Sequence, residues 1–128
     1  MVRIKQVILI RKDLKMRRGK EVAQGAHASM AFIMRQLLYA KGSTALITLS
    51  ESQRAWVDSG TAKVCLRVNT EQELLDCHHK AIEAGLDSHI ITDSGRTEFG
   101  GVPTLTACAI GPDDQEKIDV ITGHLQLY

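Results

Sequence analysis

Lys20, Gln24 and His27 stand at i, i+4 and i+7, the spacing that brings side chains onto one helix face. Taken singly, each suits an ordinary structural role: a solvated lysine, a locally bonded amide, a partly buried histidine. Together, on a helix that otherwise packs inward, they outline a polar stripe that shifts the balance toward a site. The second candidate is "DSGRT", residues 93 to 97. Asp93 ends an apolar run, Gly95 allows a sharp turn, and Arg96 and Thr97 follow with a guanidinium and a hydroxyl. Asp93 can pair with Lys20 or with Arg96, and such a pair is either a plain ion pair or part of a reaction centre. In the second case Asp93 orients or activates a water, Thr97 fixes it, and Lys20 or backbone donors meet developing oxyanion charge.

Charge is distributed unevenly around these residues. Residues 1 to 20 carry eight basic side chains against Asp13 alone, a net +7, whereas the remainder holds 8 basic and 14 acidic residues, a net −6. Lys12, Lys15, Arg17 and Arg18 crowd directly before Gly19 and Lys20. A segment of this kind steers a polyanion to one end of a nearly neutral protein. Gly19 and Lys20 at a helix start would present backbone N–H groups and an ammonium to a single anion. The pattern is not a P-loop, because the first glycine of that motif and its following Ser or Thr are missing.

Metal and thiol chemistry find less support. Cys65, Cys77 and Cys108 form no CxxC pair, and His78, His79, His89 and His124 lack zinc-ligand spacing with them. Cys65 and Cys108 fall on expected strands and are assigned to the core, and Cys77 has no activating partner beyond its histidine neighbours. Trp56 and Tyr39 lie outside the basic segment and are assigned to packing. No apolar run reaches the roughly 18 to 20 residues of a membrane span, and no signal peptide is read, so a reducing cytoplasm and no membrane partner are expected.

The elements that must position these groups follow from periodicity. "QVILIRK" (6–12) reads as a buried strand, and residues 19–40 follow at helical spacing through Val22, Ala26, Met30, Ile33, Met34, Leu37 and Leu38. Residues 41–62 are Ser-, Thr- and Gly-rich, with a short helix around Glu51 to Trp56. "KVCLRV" (63–68) is a second strand. Thr70 with Glu73 forms a capping box and Gly85 a stop for the clearest helix. "HIIT" (89–92) and "TLTACAI" (104–110) are strands, and a last helix runs from Asp113 as cap to Gly123. This order predicts one three-layer α/β domain over residues 1–128, its helices covering a small, mostly parallel sheet. Ligands then favour the loops at the carboxyl ends of strands, namely "DLKMRRGK" and "DSGRTEFGG".

Four blocks in this order, "QVILIRKDLKMRRGKEVAQGAHAS", "KVCLRVNTEQELLDCHHKAIEAGLDSHIITDSGRTEF", "TACAIGP" and "DVITGHLQLY", resemble the type 2 peptidyl-tRNA hydrolases of archaea, eukaryotes and some bacteria. The resemblance covers most of the chain. It departs in "EFGGVPTLTACA", where many members carry a proline-glycine turn and a threonine-rich strand, and in residues 41–62. It implies an α/β/α domain with a four-stranded mixed sheet that cleaves the ester between a peptide and the 3′ ribose of tRNA, with no required cofactor. By matching motif positions it implies Lys20, Asp93 and Thr97 as the catalytic set, with Gln24, His27 and Arg96 lining or supporting them. The basic segment would then meet peptidyl-tRNA at its acceptor end and phosphate backbone; a homodimer stays open. The competing expectation is a non-catalytic RNA-binding module that uses the basic loop alone.

Overall fold

The computed structural model describes residues 2–96 and 98–128; Met1 and Thr97 lie outside the described residues. The chain forms β1 (Ile4–Arg11), α1 (Arg18–Leu37), α2 (Glu51–Asp58), β2 (Lys63–Val68), α3 (Glu71–Glu83), β3 (Ser88–Asp93), β4 (Thr104–Asp114) and α4 (Gln115–Thr122). The four strands lie in the order β2-β1-β4-β3. β1 pairs with β2 in parallel and with β4 antiparallel, and β3 also pairs with β4 antiparallel. The expectation of a mostly parallel sheet is therefore corrected, since two of its three pairings are antiparallel. The reason lies in β4, which follows β3 as a hairpin and inserts between β3 and β1. One consequence matters for function. Because β1 and β3 both oppose β4, their carboxyl ends reach the same end of the sheet.

β1 is buried on both faces, which explains its uninterrupted apolar run. Val7 and Leu9 join Leu66, Leu74, Cys77, Ile110, Ile118 and Ile121 under α3 and α4. Ile8 and Ile10 point the other way, to a smaller cluster with Met16, Ala28, Ala107 and Ala109 beneath α1. Small residues on both partners let α1 lie close to β4. Gln6, fully buried, fixes the helix to β1 by accepting from the Ser29 hydroxyl and donating to the Ser29 carbonyl. α2 flanks the same face, where Trp56 meets Phe32 edge to face with ring centroids 5.9 Å apart.

Local signals hold where the interaction is local. Thr70 accepts from the Glu73 N–H, and Glu73 reaches back to the Asn69 N–H, one residue before the position a strict capping box would use. α3 stops at Gly85, whose φ of +78° carries the left-handed turn. At the last helix the cap is Asp114 rather than Asp113: the Asp114 carboxylate accepts from the Glu116 N–H, whereas that of Asp113 accepts from the Asp114 N–H, one residue before the helix. Cys65 is exposed rather than in the core. It shares its face with Ile8, its register partner, but α1 does not extend over β2.

Candidate active site

Two loops and one helix turn converge at the common end of β1 and β3. β1 ends at Arg11, whose guanidinium grips Asp13 through two bonds of 3.1 and 2.6 Å and donates to the Leu105 carbonyl at 2.9 Å. This brace ties the start of the basic loop to β4. The loop then turns at Lys15, which has a φ of +52°, and buries Met16 against the sheet. α1 starts at Arg18 after Arg17, which makes no side-chain cap bond. The basic residues Lys12, Lys15, Arg17 and Arg18 all stay exposed, the last three directly before Lys20 in the chain.

Lys20, one turn into α1, reaches Asp93 at the end of β3, 73 positions away in sequence. Its ammonium lies 2.8 Å from Oδ1, and the two side chains retain 16% and 11% of their exposure. The pair is thus nearly withdrawn from solvent yet still reachable. Asp93 takes two further bonds, from the Gly95 N–H to Oδ2 at 2.9 Å and from the Gln24 amide to Oδ1 at 3.4 Å. Lys20's hydrogen bond, and next the Gly95 N–H, hold the Asp93 carboxyl below the usual carboxylate range, with the nearby His27 adding a smaller effect. Asp93 is therefore ionised at neutral pH. The ring of Phe99 lies 6.0 Å from the Lys20 ammonium and closes one side.

Gly95 is required here on two counts. Its φ is +81°, and a Cβ would fall 2.1 Å from the Val102 carbonyl oxygen. The return of the loop, with the Gly101 N–H donating to the Gly95 carbonyl at 2.8 Å, leaves no room for a side chain. Gly19 differs: a Cβ there meets nothing, so its bareness only leaves the backbone of the first helical turn open.

Of the residues singled out from sequence, Lys20, Gln24 and Asp93 meet directly, and His27 sits exposed beside them. Arg96 is exposed, and Asp93 takes Lys20 as its partner. Thr97 lies outside the described residues. Arg17 is exposed, 3.8 Å from Glu98. Lys12 lies away from the pair, beside Arg67 and His124, extending the basic surface across the end of β2. Thr106, to which sequence reading assigned no role, also belongs to the site. It is fully buried on β4 and its hydroxyl donates to the Gln24 amide oxygen, orienting that amide toward Asp93. A threonine in an alanine-rich strand was the available signal.

Of the three thiols, Cys77 and Cys108 are sealed in the core, and Cys65 is exposed on β2, away from the Lys20–Asp93 pair. Cys108 is fully buried, and burial pushes its thiol up to about 11. Burial raises Cys77 as well. No group of three or more potential metal ligands occurs among the described residues.

Fold and site together define an α/β protein with an ion-paired carboxylate at the shared carboxyl end of two strands, below a strongly basic loop. A family model described as peptidyl-tRNA hydrolase PTH2 matches residues 4–128. Peptidyl-tRNA hydrolase of Methanocaldococcus jannaschii is 45% identical over 124 residues, covering 97% of this chain and 99% of that protein. The Methanothermobacter thermautotrophicus enzyme of the same name is 40% identical with the same coverage. A probable peptidyl-tRNA hydrolase 2 of Dictyostelium discoideum is 39% identical, over 97% of this chain but 54% of its own length. The chain belongs to the peptidyl-tRNA hydrolase PTH2 family.

Proposed function

We propose that this protein hydrolyses peptidyl-tRNA in the cytoplasm, with Lys20 and Asp93 as its catalytic pair and Thr97 as their companion. The observation that carries the reading is the 2.8 Å Lys20–Asp93 pair, shielded but open on one side, at the foot of the basic loop. Family membership supports the substrate class. The acceptor end of tRNA would lie across Lys15, Arg17, Arg18 and the first turn of α1, where cations and uncapped N–H groups receive phosphate. Lys12 and Arg96 extend that contact to either side.

The chemistry asks for little. An acyl ester of ribose is already activated, so the site must position water, accept a proton and stabilise an oxyanion. Among the described residues Oδ2 of Asp93 accepts only the Gly95 N–H, which leaves a lone pair for a water. That water attacks the ester carbonyl carbon. Its proton moves toward Asp93, the negative charge on the carbonyl oxygen is met by the Lys20 ammonium, and Gln24 holds Oδ1 in place. Collapse of the tetrahedral species breaks the bond to the ribose 3′ oxygen, which takes the proton. The products are a free peptide carboxylate and a tRNA with its 3′ hydroxyl restored. Because ion pairing makes Asp93 a weak base, its main contribution is to orient the water, and Lys20 supplies the electrostatic share.

The test is release of N-acetyl-aminoacyl groups from tRNA by wild type, Lys20→Ala and Asp93→Asn, with tRNA binding measured in parallel. Turnover by wild type and a loss of about 10²- to 10⁴-fold in Asp93→Asn, with binding retained, is expected. If all three proteins bind tRNA and none turns over, the chain is an RNA-binding module instead.

A further inference from the structure

α1 runs away from the Lys20–Asp93 pair beside the outer edge of β3, and the two enclose a groove of about 660 Å³. Gln24 and Asp93 form one end, Ile90 to Thr92 form the floor, and Arg35 and Leu38 lie at the far end. Its helical wall is unusually apolar for open surface. Met30, Met34 and Leu38 follow at intervals of four residues and are 53%, 41% and 78% exposed.

The floor also has a free edge. The opposite edge of the sheet, β2, is covered by the chain's last residues: Arg67 donates to the Gln126 carbonyl, Tyr128 donates to the Cys65 carbonyl, and Leu127 bridges Leu66. β3 is the other edge strand, and no described strand lies beyond it. The Ile90 carbonyl accepts from Arg35 at 3.2 Å rather than from a neighbouring strand. An edge with no strand beside it, next to an apolar ridge, is the surface on which an extended peptide adds as a further strand, here by displacing the Arg35 guanidinium from the Ile90 carbonyl.

We propose that this groove holds the peptide part of the substrate, its C-terminal residue at Asp93 and the preceding residues extending along β3 toward Arg35. This rests on the hydrolase reading above. The occupant follows from the two halves of the ester. Its polyanionic half is drawn to the basic loop at the N-terminal end of α1, and the groove leaves Lys20 in the opposite direction, toward the C-terminal end. The acyl half is therefore directed onto the apolar side. At about 3.3 Å per residue, the edge from Ile90 to Ser94 accommodates about four residues. Backbone bonding to an edge and contact with flexible methionines are both tolerant of sequence. The groove would thus recognise that a peptide is present rather than which peptide it is.

The same tRNA carrying either a single N-acetyl-aminoacyl group or an N-acetyl-tetrapeptidyl group, with identical C-terminal residues, separates the possibilities. For wild type, KM is expected to be about tenfold lower for the tetrapeptidyl substrate, with kcat nearly unchanged. Met34→Asp is expected to abolish that advantage while leaving hydrolysis of the single-residue substrate intact, and Met34→Leu to preserve it. Equal KM values for the two substrates in wild type overturn the proposal, as does an equal loss on both in Met34→Asp. Sedimentation of wild type and Met34→Asp is expected to give the same mass; a dimer that Met34→Asp dissociates means that a second copy fills the groove, and also overturns it. Wild type that hydrolyses neither substrate refutes the hydrolase reading, and the groove assignment with it.

Discussion

The two faces of the sheet are built to different specifications. Beneath α3 and α4, large aliphatic residues interlock: Leu9, Leu74, Ile110 and Ile118 are wholly buried. Beneath α1 the contact is made by Ala28, Ala107 and Ala109 with Ile8 and Ile10. α1 and the short α2 beside it do not cover all four strands, so that face keeps a groove on each flank of α1. Polar groups that would be costly in the first layer, such as Gln24 and Thr106, bond to each other in the second. The α3–α4 face supplies cohesion, while the α1 face gives up apolar burial for access and for a positioned carboxylate.

Breaking the cohesive face should be felt as stability. Leu74→Ala removes a fully buried side chain from that cluster, and a loss of about 2–5 kcal/mol in unfolding free energy is expected. Denaturant titration measures it. Turnover per folded molecule should be unchanged, because the cluster does not touch Asp93; a comparable fall in kcat of the folded fraction would contradict the division between faces.

A change on the α1 face should show the reverse balance. Thr106→Val keeps the shape but leaves the Gln24 amide oxygen without its buried donor, at a cost of about 1–3 kcal/mol. Unlike Leu74→Ala, it should also lower kcat with KM nearly constant, since Gln24 loses its aim at Asp93. Thr106→Ser should restore the rate. A Thr106→Ser variant as slow as Thr106→Val would show that packing, not the hydroxyl, is what matters.

The smallest effect is a dependence on pH. Burial, and next the charge of a neighbour (His79 for His78, Arg35 for His89), lowers both histidines, so the folded state disfavours their protonation. Their contribution to stability is complete above the ordinary histidine value of about 6.5 and is lost as pH falls toward their lowered values. Asp93, also lowered, keeps its contribution until pH falls below the usual carboxylate range. Melting temperature should therefore begin to fall below about pH 6.5, with a shallower decline in His89→Gln. If His89→Gln follows the wild-type profile, His89 is not the group responsible.

Much of the site was legible before any fold was known, because helical spacing places Lys20, Gln24 and His27 on one face whatever the helix packs against. Arg96 illustrates the limit: it was as good a partner for Asp93 as Lys20 until the turn at Gly95 was seen. Residues 41–62 were obscure for a similar reason. Their helix is short, and it is held by Ser50 and Gln53 capping and by Trp56 against Phe32 rather than by a long periodic pattern.

Periodicity, caps and turn residues act between near neighbours, so the sequence alone determined where strands and helices form, which end of the chain is basic, and which polar residues share a helix face. The direction of β4, the exposure of Cys65 on a strand face that α1 does not reach, the bond from Thr106 to Gln24, and the strand-free edge of β3 were decided only by tertiary structure. Each depends on which distant segments lie side by side. Lys20 and Asp93, 73 positions apart, become a pair because β4 inserts between β1 and β3 and turns both of their carboxyl ends to the same side.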